Sequence, residues 1–159
     1  MNTIFKKLNY RDAKTIHVLN APDSFKAAMN EMKIVTKVTA TVAASSGISF
    51  LIAFATTQKE VNDVAGKVVP KLADDAIFWI AYPKKSSKKY TCGFNRDTGW
   101  QFLGALGYEG VRMVAIDEDW SALRFRRAEK IKNMTRGFAL SEAGKKRISS
   151  SKKVSSPKK

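Results

Sequence analysis

The chain has 159 residues, 44% of them hydrophobic, and 29 Lys and Arg against 14 Asp and Glu, a net charge of +15. That length and apolar content suit one domain that buries a core without cross-links, and one cysteine (Cys92) with one histidine (His17) excludes an internal disulfide and a structural zinc set, so no metal is expected. No run reaches the ~18 apolar residues of a membrane span, and the N-terminal MNTIFKKLNYRD lacks the apolar core of a signal peptide, so a cytoplasmic protein is expected.

In chain order, residues 15–20 (TIHVLN) read as a short buried strand, broken by Ala21 and Pro22. Asp23 or Ser24 is expected to cap a helix over 25–32, where Phe25, Met29 and Met32 fall at helical spacing. Residues 35–42 (VTKVTATV) are rich in β-branched side chains and read as an outer strand, with a turn at 43–47. Residues 48–55 (ISFLIAFA) form a continuous apolar run of strand length, the mark of a parallel strand covered on both faces.

Thr56 or Thr57 then caps a helix with Glu60 in its first turn, and Val61, Val64, Ala65, Val68, Val69 and Leu72 form its apolar stripe. Pro70 inside this pattern predicts a kink or an early stop. A second apolar run, 76–82 (AIFWIAY), is ended by Pro83 and followed by the basic loop KKSSKK at 84–89. Asp97 or Thr98 is expected to cap a helix over 99–106, with Gly107 as its C-terminal cap. Residues 111–116 and 120–127 read as a hairpin around the turn 117–119, with Trp120 and Ala122 on one face and Ser121, Leu123 and Phe125 on the other.

Strands alternating with helices imply a three-layer α/β fold with a mostly parallel sheet, closed here by an antiparallel hairpin. We place this domain at 1–128. Residues 129–159 form a basic extension, with ten Lys and Arg against two acids. A short helix is expected at about 141–148, followed by a low-complexity segment unable to order itself.

The order of elements resembles a trimmed methyltransferase-like Rossmann domain, which ends in a strand, a helix and an antiparallel hairpin. VLNAP at 18–22 followed by Phe25, WIAYPKK at 79–85 and DEDWSALRF at 117–125 carry a more specific likeness. On these segments, spanning 10–127, the chain is similar to an uncharacterised bacterial domain-of-unknown-function family of small methyltransferase-like proteins with a closing D-x-x-W-S-x-L hairpin. The resemblance implies a fold and no activity. Where dinucleotide and S-adenosylmethionine enzymes have a glycine-rich loop after the first strand, this chain has NAPDS at 20–24. The second strand also lacks a closing acidic residue. No cofactor is therefore expected in the usual mode.

The loop Lys84, Lys85, Ser86, Ser87, Lys88 and Lys89 follows a strand that reads as central. Ligands of open parallel sheets bind beyond the carboxyl ends of the strands, so these residues, with Asn20 and Ser24 on the same edge, are candidate anion ligands. The plain alternative is a solvated loop of a basic protein. Lys145, Lys146, Arg147, Lys152, Lys153, Lys158 and Lys159 make the tail a candidate polyanion binder, or a solubilising segment. His17, inside a strand, reads as structural. Cys92 is a weak candidate for a reactive thiol, on the strength of Lys88 and Lys89 upstream. Asp117, Glu118 and Asp119 read as turn residues before they read as a cation site. Trp79, Trp100 and Trp120 sit at core positions. The leading expectation is a non-enzymatic module that associates with nucleic acid or another polyanion through its lysine-rich segments. The alternatives are an anionic small-molecule binder, or an enzyme, on a degenerate methyltransferase-like fold, and a scaffold for another protein.

Overall fold

The computed structural model describes residues 2–43, 45–95 and 98–131. The expected helix at 141–148 and the tail lysines lie outside them. The elements are α1 (Thr3–Lys7), β1 (Thr15–Leu19), α2 (Lys26–Met32), β2 (Lys37–Thr39), β3 (Ile48–Phe54), α3 (Gln58–Val68), β4 (Leu72–Pro83), α4 (Gln101–Ala105), β5 (Tyr108–Ala115) and β6 (Trp120–Arg127). One six-stranded sheet has the order β2-β1-β3-β4-β6-β5. β1 to β4 are mutually parallel, and β6 enters antiparallel between β4 and β5. This is a methyltransferase-like Rossmann arrangement closed by a hairpin.

The two apolar runs lie in the middle of the sheet because both of their faces are covered. In β3, Leu51 and Ala53 meet the α3 side chains Val61, Val64, Ala65 and Val68. Phe50, Ile52 and Phe54 meet Phe5 and Leu8 of the α1 segment and Phe25, Ala28 and Met32 of the α2 segment. The hairpin alternates as expected: Trp120 and Ala122 join the α1/α2 side, Leu123 and Phe125 the α3/α4 side. All three tryptophans are buried.

Several local expectations are corrected. The sequence reading places no element before residue 15, yet Asn2 caps α1 by accepting from Ile4 N and Phe5 N, and Phe5 and Leu8 are wholly buried. The indole Nε1 of Trp79 donates to the Leu8 carbonyl at 2.9 Å, fixing α1 to the sheet. β2 is only Lys37–Thr39, not 35–42, because residues 40–43 and 45–47, on the way from the sheet edge to β3 on the far side of β1, take no strand or helix. Val42 of this connection is buried in the core. Neither Asp23 nor Ser24 caps α2: both belong to the 3-10 turn Asp23–Phe25 that leads into it.

Thr57 caps α3, and its capping box with Glu60 is complete. The helix stops at Val68, ahead of Pro70. Leu72 opens β4 rather than closing the helical stripe, so the strand is longer than 76–82. It shifts register against β3 near its start, where Asp74 and Asp75 point outward to Lys130 and Arg126. α4 is shorter than 99–106 and begins after Trp100, with no side-chain cap from Thr98; Asp97 lies outside the described residues. Gly107 has φ +89°, the left-handed value its cap role requires. β5 begins at Tyr108, ahead of 111, and is irregular between Gly110 and Arg112. Gly110 lies beneath the Leu123 side chain, whose nearest atom would be 3.0 Å from a Cβ at that position.

Candidate functional site

The lysine loop is held by the hairpin turn. After Pro83, Lys84 N donates to the Asp119 carbonyl at 2.8 Å, and Ser87 N closes a turn on Lys84 O at 3.1 Å. The Ser87 hydroxyl donates to Asp119 Oδ1 at 2.8 Å and accepts from Lys89 N and Tyr90 N. The chain then runs back over the strand ends, where Gly93 N donates to Thr56 O at 2.6 Å. A Cβ on Gly93 would sit 3.0 Å from that oxygen, so a larger residue would crowd the close crossing.

Between this loop and the β5–β6 ribbon lies an open cavity of about 710 Å³, within the size range of small-molecule sites. Tyr82, Tyr90, Phe94 and Trp100 supply aromatic walls, and Lys84, Lys85, Ser87, Asn95 and Ser121 supply polar groups. Met113, Leu123 and Cys92 complete the lining with Thr91. The rings brace each other: Trp100 lies 5.5 Å from Tyr82 and 5.2 Å from Phe94, centroid to centroid, both near edge-to-face. Lys84 is half-buried and Lys85 exposed, so both ammonium groups can reach the cavity mouth without full desolvation.

The sequence-derived set divides. Lys84, Lys85 and Ser87 share the cavity; Ser86, Lys88 and Lys89 are exposed and outside its lining. Asn20 and Ser24 are not part of it: the hairpin turn stands between. Asp117 Oδ1 accepts from Asp119 N and Trp120 N at 2.8 and 2.9 Å, while its Oδ2 lies 3.5 Å from the Ser24 hydroxyl. The acidic turn therefore serves local structure. His17 is buried, its Nε2 3.1 Å from Ser45 Oγ in the connection from β2 to β3, and burial lowers its pKa. Cys92 Sγ is half-buried in the cavity wall, 3.5 Å from the Phe94 carbonyl. The aromatic lining was missed from sequence. Its only signal was the recurrence of rings at 90, 94 and 100 behind a basic loop.

The switch point of the sheet lies between β1 and β3, where the chain first runs outward and then returns. Asn20 there has φ +59°, a conformation asparagine tolerates better than most non-glycine residues, so the tight turn survives without glycine. An aromatic cluster packs beside this turn. The Phe25 and Phe54 rings are 4.9 Å apart, and Trp120 lies 5.1 Å from Phe54; all three are buried.

With this geometry in view, comparison with known proteins is informative about the fold. No protein-family model matches the chain, and no curated protein is similar to it in sequence. The structure is similar to a SAM-dependent methyltransferase from Aquifex aeolicus, with TM-score 0.52 and 8% identity over 78% of this chain and 87% of that one. It is also similar to ribosomal protein L11 methylase from Lactobacillus delbrueckii subsp. bulgaricus, with TM-score 0.50 and 10% identity over 78% and 76% of the two chains. The fold is methyltransferase-like. The residues at the switch point do not fit S-adenosylmethionine in the usual mode: no glycine opens the β1 turn, where Asn20 stands at φ +59°, and Pro22 has no N–H to offer. We derive no step through that cofactor. Among the described residues no cluster of three or more His, Cys, Asp or Glu could hold a metal ion, and no helix is long and apolar enough to cross a membrane.

Proposed function

We propose that the chain is a nucleic-acid-binding α/β module, acting by binding rather than catalysis, whose contact site is the cavity beyond the carboxyl end of β4. One observation carries the reading: two lysines, Lys84 and Lys85, stand at the mouth of a cavity walled by Tyr82, Tyr90, Phe94 and Trp100. Cationic groups beside aromatic rings are what binding of single-stranded nucleic acid uses, phosphates going to the former and an unstacked base to the latter. The net charge of +15 supplies long-range attraction. Lys88 and Lys89 extend the basic loop, and the tail lysines add non-specific phosphate contacts. The resemblance to the small bacterial domain-of-unknown-function family is retained, and it brings no activity with it.

Fluorescence anisotropy of the full chain with a labelled single-stranded 15-mer tests this. Binding should weaken with salt, log K falling against log[salt] by about 0.7 per phosphate neutralised, and Lys84→Ala with Lys85→Ala should weaken it about tenfold or more. Affinity independent of salt, or affinity that survives both loss of Lys84, Lys85, Lys88 and Lys89 and deletion of 132–159, rejects the proposal. The cavity volume also favours a second reading, an anionic small molecule as the sole ligand. Full displacement of the oligonucleotide by a mononucleotide at equal concentration would support that alternative.

A further inference from the structure

The β5–β6 ribbon carries a second charged feature on the face opposite the cavity. Arg112 in β5 and Arg124 in β6 are register partners, so their side chains leave the same face of the sheet. Strand alternation puts Arg126 on that face too, about 7 Å further along. Arg11, in the connection between α1 and β1, is near enough for its charge to act on Arg124. Like charges placed directly opposite on a sheet are destabilising. The fold nevertheless gathers four guanidinium groups here.

The counter-charges are few. Asp75 is engaged by Arg126, whose Nε lies 3.2 Å from Oδ1 and whose Nη2 lies 3.0 Å from each carboxylate oxygen. Glu109, the register partner of Arg126, shares the face and is buried. Arg124 itself is half-buried, and its Nε is shut off from solvent with no hydrogen-bond partner among the described residues. Burial is the largest cause holding its pKa below the ordinary value; the charges of Arg126, Arg112 and Arg11 act the same way, and Asp75 opposes them. An arginine remains charged regardless, so the unfavourable energy stays in the fold. A ligand presenting several anionic oxygens would relieve it.

We propose that Arg11, Arg112, Arg124 and Arg126 form a phosphate-binding surface that takes the backbone of a single-stranded nucleic acid. The proposal rests on the nucleic-acid reading of the cavity and extends it. Leu123 and Met113 line the cavity, while their chain neighbours Arg124 and Arg112 face the opposite side. Edge strand β5 borders both surfaces, with Met113 on one and Arg112 on the other. A flexible single strand can place a base in the cavity and turn around this edge onto the arginines. A duplex, with a persistence length of about 50 nm, cannot.

The experiment is anisotropy of the full chain with labelled single-stranded and duplex 15-mers across a salt series. Arg11→Gln with Arg112→Gln, both exposed positions, should weaken single-strand binding at least tenfold. It should also reduce the salt slope by about 1.4, two contacts at about 0.7 each. Arg124→Gln should weaken binding as well, with a thermal midpoint equal to or above that of the native chain, because it removes a repelled charge. If the Arg11/Arg112 variant binds with native affinity and slope while the Lys84/Lys85 variant is impaired, the arginine surface is refuted and the cavity reading stands. If neither pair matters, both are refuted. A duplex that binds as tightly as the single strand, with the same loss on Arg11/Arg112 substitution, refutes the wrapping geometry.

Discussion

The Ser87 hydroxyl donates to Asp119 Oδ1 at 2.8 Å, tying the lysine-rich loop to the turn between β5 and β6. One short bond thus joins the two walls of the cavity. Ser87→Ala should cost about 1 kcal/mol of stability, the usual net worth of such a bond. It should also speed hydrogen exchange at the amides of Lys89 and Tyr90, which bond the same hydroxyl. Ser87 positions the loop, so oligonucleotide affinity should fall less than with loss of Lys84 and Lys85. Native exchange rates at those two amides in the variant would show that the bond does not order the loop.

The α3 cap makes a second prediction. Glu60 Oε1 accepts from Thr56 N at 2.7 Å, Thr56 Oγ1 at 2.9 Å and Thr57 N at 3.1 Å. The bond from the Thr56 backbone is the largest cause holding the Glu60 carboxyl below the usual carboxylate range. Its contribution to stability is present above the ordinary glutamate pKa and is lost as pH falls through the lower folded value. Thr57→Ala should cost about 1 kcal/mol. Glu60→Gln should flatten the acid limb of the stability profile, as measured by urea unfolding from about pH 6 to about pH 3, which brackets the ordinary glutamate pKa of about 4.3.

His17 acts at higher pH and for the opposite chemical reason. Burial lowers its pKa, and the charge of Lys37 adds to the effect. Above the ordinary histidine pKa of about 6.5, the folded and unfolded chains are both neutral at this site. Below it, the unfolded chain takes up a proton that the folded chain resists, so stability falls as pH drops toward the folded value. The urea midpoint should therefore decline between pH 7.5 and 5. In His17→Gln the decline should be smaller, because a neutral amide has no proton to gain. An identical decline in the variant would assign the effect to other groups.

The switch point makes a fourth prediction. Isothermal titration calorimetry of the native chain with S-adenosylmethionine should give no saturable binding, because the β1 turn has no glycine and Pro22 offers no N–H. Phe54→Ala should destabilise the domain by about 3–5 kcal/mol, the usual range for deleting a core phenylalanine. Saturable binding by the native chain would show that the turn takes the cofactor without a glycine.

The sequence by itself determined the central strands, the α3 cap and the closing hairpin. Each of these is written locally. Unbroken apolar runs at β3 and β4 need cover on both faces, threonine three residues before glutamate is a capping box, and alternation through 120–125 assigns the two faces of β6. Helix α1 escaped notice because its burial depends on Trp79 and Phe50, distant in sequence, covering two apolar residues. Only the tertiary structure decided what the basic residues face. Side chains from five separate segments converge on the cavity at the end of β4, and Ser24 and Lys84 part company because the hairpin turn inserts between them. Arg112 and Arg124 come opposite each other only once β6 has paired with β5. Charge along a chain is additive and can be read directly, but the field at a site depends on distances through space, and those distances exist only after folding.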